Sequence, residues 1–243
     1  MKKAEAHFRK RAHKYNRSSN WVSDEKLIAR IFELSGAGKD SIVLDIATGT
    51  GLIAKEFYGR VGKVTGLDIC RDMVEHAKGC MDEIVFSPVE QMPFADDTFD
   101  VCVCRQGLQF AELGPAISEI HRVLKPGGTA VLCHLTAYGE EDRELTFRIQ
   151  ELRNPARKNY LMPDDIPAAL RRQGFRDVQD IRYVTDESVG KWIDNGAIEE
   201  ERMQKIREIY RSSGRRFREI HNVRFEGDDI IDAMLLVIVK ARK

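Results

Sequence analysis

Two aspartates and two glycines stand at spacings that suit a small ligand. Asp45 lies in the short apolar run V-L-D-I, and Gly49 and Gly51 follow in A-T-G-T-G. Asp68 comes 19 residues after Gly49. An acid at the end of a strand buried on both faces is costly unless it has a partner; a ligand's cationic amine or hydroxyl would supply one. The glycines allow a tight turn and a close approach of the ligand to the backbone. The helix-like segment after them, Leu52 to Tyr58, would present its free N–H groups there. Asp68, ending the next strand, is placed to hold two ribose hydroxyls with one carboxylate. Asp45, the turn 47–51 and Asp68 thus describe one nucleoside pocket.

Two nucleoside cofactors compete for it. Gly49-x-Gly51-x-x-Ala54 satisfies the G-x-G-x-x-A dinucleotide fingerprint, which would suit a nicotinamide oxidoreductase. A dinucleotide would put its pyrophosphate on the helix N-terminus, where an acid close by is unfavourable. Asp45 favours a cofactor with a positive end and no phosphate. S-adenosylmethionine carries both an ammonium and a sulfonium.

The elements that must position these residues alternate. Strands are predicted at Ser41–Ile46, Lys63–Leu67, Glu83–Phe86, Phe99–Cys104 and Thr129–Leu135. Helices are predicted at 52–58, 71–78 and 115–124. This alternation implies a parallel sheet covered by helices on both faces, with ligands at the carboxyl ends of the strands. Two amphipathic helices precede it, within 2–17 and at 21–34. Beyond Leu135, residues 140–153 and 163–173 read as helices, 174–184 as a strand, 188–222 as mostly helical and Arg-rich, and 232–240 as a last strand.

The 243 residues suit one large domain, 42% hydrophobic and 32% charged, with formal net charge zero. That balance gives no pull toward nucleic acid or a membrane. No apolar run approaches the ~20 residues of a membrane span. The N-terminus is basic without a signal peptide's apolar core. Five cysteines, an odd number in apolar settings, read as free thiols of a reducing cytoplasm. No zinc-like spacing appears, so no metal is expected.

Four ordered motifs carry a resemblance to class I S-adenosylmethionine-dependent methyltransferases, of the broad type 11 group that includes ubiquinone/menaquinone-biosynthesis enzymes. They are V-L-D-I-A-T-G-T-G, V-T-G-L-D-I-C-R-D-M, V-E-Q-M-P-F-A-D-D-T-F-D-V and E-I-H-R-V-L-K-P-G-G-T, and the likeness covers about Ser41 to Leu135. The resemblance implies a Rossmann-like α/β fold with seven strands, mostly parallel, the last antiparallel. It places Asp45, Ala47, Thr48, Gly49 and Gly51 around the methionine part of the cofactor. Asp68 would bind ribose, Ile69 and Met73 would face adenine, and Val89 and Glu90 would edge it. Arg105 and Gln106 would face the sulfonium and the acceptor, with Tyr15 closing over the ligand. Pro88 stands where an acid is often found, which removes a side-chain contact to the adenine amine.

The expected reaction is methyl transfer to a small molecule, with S-adenosylhomocysteine as product. A base is needed only if the acceptor must lose a proton. His134, at the end of a strand, is the first candidate; His13, His121 and Tyr138 follow. Gln106 and Gln109 could orient a polar acceptor. The reading is a single domain with a core at about 37–137 plus the strands 175–184 and 232–240. A helical cap would come from 1–35, 138–173 and 186–226. The alternatives are an RNA methyltransferase, which the zero net charge disfavours, and a non-catalytic cofactor-binding partner protein.

Overall fold

The computed structural model describes residues 2–243. Five parallel strands lie in the order β3 (Glu83–Phe86), β2 (Lys63–Asp68), β1 (Ile42–Ile46), β4 (Phe99–Arg105), β5 (Leu124–Leu135). Next to β5 runs β8 (Asp229–Arg242), antiparallel to it, and then β6 (Arg176–Ser188) at the edge. These are the seven strands expected. An eighth, β7 (Arg224–Glu226), forms a hairpin with the start of β8. Three residues carry no readable period, so β7 had no signal in the pattern.

Period-2 alternation sends successive side chains to opposite faces. Val43, Val101, Val103, Val131 and Leu236 face one side. Leu44, Cys102, Leu132 and Val237 face the other. The first face is covered by α2 (Glu25–Ser35), α3 (Leu52–Phe57) and α6 (Glu140–Arg153). Also on it are α8 (Val189–Ile193), α9 (Glu200–Ser212) and α10 (Arg215–Ile220), through Trp192, Ile206, Tyr210 and Phe217. The second face is covered by α5 (Leu113–Val123) and α7 (Asp165–Gln173). Residues 163–173 were expected in the cap. Instead, Ile166, Ala169 and Leu170 bury themselves against the sheet, because α7 packs on α5 and β6.

Element boundaries follow local chemistry. The helix expected from Trp21 breaks into a 3-10 turn, Trp21–Ser23, followed by α2. Asp24 causes the restart: its side chain accepts the N–H groups of Lys26 at 3.0 Å and Leu27 at 3.1 Å, a helix N-cap. The helix expected at 71–78 is α4 (Arg71–Val74) plus a 3-10 turn, Glu75–Ala77. α1 (Lys2–Arg11) packs on α4 and so lies over the carboxyl end of the sheet.

Candidate functional site

Strand order reverses between β1, which leads toward β2 and β3, and β4, which leads toward β5. The crevice at such a switch point is where open α/β sheets bind ligands. Here it holds a cavity of about 520 Å³. Its floor is the carboxyl ends of three strands: Ile46 and Ala47, Leu67 to Ile69, and Arg105 to Gly107. Met73, Pro88, Val89 and Glu90 form one wall, and Phe110, Pro115 and Lys158 another. Ala4 and Phe8 of α1, with Tyr15 beyond it, close the top.

The glycine turn needs unusual backbone. Gly49 and Gly51 have φ of 53° and 76°. Ala47 also has positive φ, 57°, a conformation that costs a non-glycine residue about 1–2 kcal/mol. Crowding is tight around it: a Cβ on Gly107 would lie 2.6 Å from Ala47 Cβ and 2.8 Å from Cys104 Sγ.

Asp68 is built as an acceptor. One oxygen takes the Gly49 N–H at 2.8 Å and the other the Cys70 N–H at 2.8 Å. A carboxylate that accepts two N–H groups has further acceptor capacity, and Asp68 lines the cavity. Burial pushes its carboxyl above the usual range, partly offset by those two N–H groups. Ile69, Met73 and Val89 form an apolar slot beside it. Glu90 lines the same wall, but its carboxylate is already engaged, accepting the Glu112 N–H at 2.8 Å.

Asp45 lies outside the main cavity. It is 1% exposed, and the partner it needed comes from within the chain: the Thr48 hydroxyl at 2.7 Å and the Ala54 N–H at 3.1 Å. Burial raises its carboxyl to about 7, against the lowering effects of Thr48 and Arg105. Asp45, Thr48, Thr50, Arg105 and Tyr15 surround a small annex with room for one polar group. Gly51 lies outside both; its close neighbour is Ala77, where an added Cβ would come within 2.9 Å. Arg105 also clamps the segment above, donating to the carbonyls of Val22 at 2.9 Å and Trp21 at 3.2 Å.

His134 is not where a base would act. It is 1% exposed and does not line the cavity. Its Nε2 accepts the Leu108 N–H at 3.1 Å, so the ring holds the 3-10 turn Leu108–Phe110 in place. Burial, then the Arg157 charge, lowers its pKa to about 3. Gln106 does reach the cavity, from a backbone at φ 61°. Its Oε1 accepts from Gln109 Nε2 at 2.9 Å, and its own Nε2 has no partner among the described residues.

Several residues at this site had no signal in the sequence. Phe8 and Phe110 pack edge to face at 5.0 Å across the mouth. Glu187, fully buried on β6, accepts the Ser19 hydroxyl at 2.6 Å and the Asn20 N–H at 2.8 Å. Thr50 donates to Asn16 at 2.6 Å. Together these tie residues 15–22 down over the annex. The partners are far apart in sequence, so no local pattern could announce them.

Residues 44–132 match a family described as a methyltransferase domain. The malonyl-[acyl-carrier protein] O-methyltransferase of Erwinia billingiae is 30% identical, over 56% of this chain and 59% of its own. The ubiquinone/menaquinone biosynthesis C-methyltransferase of Bdellovibrio bacteriovorus is 38% identical, over 42% of this chain and 48% of its own. The chain thus spans about half the length of these two relatives. The uncharacterized methyltransferase YcgJ of Bacillus subtilis is 27% identical, over 79% of this chain and 82% of its own. The crystal structure of YcgJ superposes with a TM-score of 0.82 at 22% identity, covering 89% of this chain and 97% of that one. That likeness shows a shared fold.

Proposed function

We propose that this chain, whose residues 44–132 are a methyltransferase domain, transfers a methyl group from S-adenosylmethionine to a small-molecule acceptor. The observation that carries the reading is Asp68, whose carboxylate is set by two backbone N–H groups and which lines the cavity beside an apolar slot. A nucleoside fits there: two hydroxyls on one carboxylate, and a flat base between Ile69, Met73 and Val89. The annex, with room for one polar group, sets Asp45 beside that space, a place that suits the ammonium of an amino-acid end. A pyrophosphate at the glycine turn would meet the Asp68 carboxylate, which accepts the Gly49 N–H.

The cofactor supplies a methyl carbon on positively charged sulfur; the acceptor's lone pair takes that carbon while the sulfur keeps the bonding pair. The protein's part is to orient the acceptor and exclude water. Gln106, which follows β4 and lines the cavity, would lie beside a polar acceptor. Phe8, Tyr15 and Phe110 would close over it, α1 and the segment after it acting as the lid. No histidine lines the cavity among the described residues. This arrangement suits an acceptor that is already nucleophilic.

Small molecule is favoured over RNA by how the basic helices are neutralised. Lys205 pairs with Glu201 at 2.6 Å, Arg207 with Glu200 at 3.4 Å, Arg215 with Glu219 at 2.7 Å, and Arg216 with Glu141. A phosphate-tracking face would leave such cations free.

Thermal melting with S-adenosylhomocysteine, S-adenosylmethionine and NAD tests the reading. Ligand at 100 times its dissociation constant adds ~2.7 kcal/mol, expected to raise the midpoint by several degrees. A rise with the two sulfur nucleosides alone supports it. A rise with NAD alone contradicts it.

A further inference from the structure

Beside the cavity, three guanidinium groups are drawn out of water with no acid to neutralise them. Arg11 is 2% exposed and Arg153 7%. Arg157 is half-buried, and its Nη2 is enclosed. None of the three makes an ion pair among the described residues, although nearly every other buried charge in the fold is answered. Arg11 Nε, Arg153 Nη2 and Arg157 Nη2 have no hydrogen-bond partner there either. Arg153 spends one N–H on the Trp192 carbonyl, at 3.1 Å, and lies over the Trp192 ring. Glu187 is the acid whose charge reaches Arg153, but its carboxylate is filled by Ser19 and Asn20.

None of the three is in the cavity lining itself, and the charges of Arg11 and Arg157 both bear on Arg153. Burial, then the charge of Arg11, pulls Arg153 well below the arginine range, and Arg157 adds to this. Burial lowers Arg157 to about 10. His7, on α1, is lowered to about 3 by burial and then by Arg11 and Arg153, so it stays neutral beside them. Its Nε2 and both polar atoms of Gln150 also lack partners. The cluster adjoins the cavity through Arg11, which sits 5.4 Å over Phe8 and 5.1 Å over Tyr15, two rings that line it. It also adjoins Gln109, whose carbonyl accepts from Lys158 and Asn159 in the segment that carries Arg157.

Such an arrangement is unfavourable by itself. Arginine does not escape burial by losing its proton at ordinary pH, and like charges in a poorly screened site repel. A planar fork of donors fits one kind of guest well: an oxyanion that accepts two parallel N–H bonds. The ammonium of the cofactor's amino-acid end is served separately, by the annex at Asp45.

Resting on the methyltransferase reading, we propose that the methyl acceptor is an anion. It would be a small molecule with an apolar or aromatic body against Phe8, Tyr15 and Phe110. Its carboxylate or phosphate would be held by Arg11, Arg153 and Arg157.

The test is thermal melting of the protein saturated with S-adenosylhomocysteine, with benzoate, phenyl phosphate and neutral benzamide as probes. Wild type and the variants Arg153→Met and Arg11→Met are compared. The expected result is a rise in midpoint with one or both anions and none with benzamide; the anion giving the larger rise identifies the group. Both variants should lose that rise by tenfold or more in probe affinity. They should keep the shift produced by S-adenosylhomocysteine. Their ligand-free midpoints should be unchanged or higher, since an unpaired buried charge is gone. Benzamide acting as well as benzoate, or variants that keep the full anion shift, would overturn the proposal. Variants that melt several degrees lower without ligand would also overturn it, showing the arginines to be structural. Loss of the S-adenosylhomocysteine shift in wild type would instead sink the methyltransferase reading itself.

Discussion

Asp45 on β1 and Asp68 on β2 both bond the glycine turn 47–51, and the fold treats them differently. Asp68 lines the main cavity, while Asp45 bonds Thr48 and Ala54 and lines only the small annex. Asp45 titrates near 7, against about 3.9 when unfolded. A raised folded pKa means that its contribution is full below about 4 and lost as pH rises through 7. Asp45→Asn keeps an oxygen for Thr48 and Ala54 and removes that loss. The variant should be more stable than wild type at pH 8 by at most about 4 kcal/mol in urea unfolding. It should bind S-adenosylhomocysteine more weakly. His221 gives the same sign higher up the scale. Burial opposes its charged ring, but Asp142 at 3.0 Å and Asp232 at 2.8 Å outweigh it and raise its pKa to about 9. Its stabilisation is therefore full below about 6.5 and lost as pH rises through 9. Urea titrations from pH 6 to 9 should show that His221→Gln flattens this decline and lowers stability at pH 6 by about 3 kcal/mol. His134, expected as a base, shows what a single residue type conceals: an imidazole at a strand end is as useful for accepting a backbone N–H as for taking a proton.

At the level of elements, the turns are the demanding parts. The β4 end carries Gln106 at positive φ followed by Gly107, which has no room for a side chain between Ala47 and Cys104. Gly107→Ala should cost roughly 1–3 kcal/mol through overpacking, measured by urea unfolding, and should weaken cofactor binding because Ala47 must move. These β1 and β2 turns were legible in the sequence because their chemistry is local: acid, glycines and strand ends lie within a few residues of each other. The central strands were legible because alternation over Val43, Leu44 and their equivalents marks two buried faces. What closes the site was not. Ser19 meets Glu187 across 168 residues, and Lys14 meets Asp194 across 180. Arg11, Arg153 and Arg157 looked like ordinary basic residues of amphipathic helices, since burial without a partner is a property of the packed chain. The placement of α7 was missed for a similar reason. Its apolar stripe shows that it buries a face, while only the sheet decides which one.

Across the whole molecule, a neutral net charge masks a strong internal arrangement. Lys205, Arg207, Arg215 and Arg216 of the outer helices α9 and α10 are matched by acids, whereas Arg11 and Arg153 are buried without an ion pair among the described residues. The sheet contributes strand ends at the switch point, and the N-terminal segment with Ala4, Phe8 and Tyr15 closes over them. The account rests on that cavity holding S-adenosylmethionine with Asp68 on its ribose. Calorimetric titration of S-adenosylhomocysteine into wild type and Asp68→Asn tests it most directly. Asparagine keeps the size of the side chain but exchanges an acceptor oxygen for a donor, which also faces one of the two backbone N–H groups that Asp68 accepts; the ligand-free midpoint of the variant is therefore measured beside it. The account predicts saturable one-site binding to wild type, weakened at least tenfold in the variant, a loss of about 1.4 kcal/mol or more. Equal affinity in the two proteins, or no binding to wild type, would contradict it.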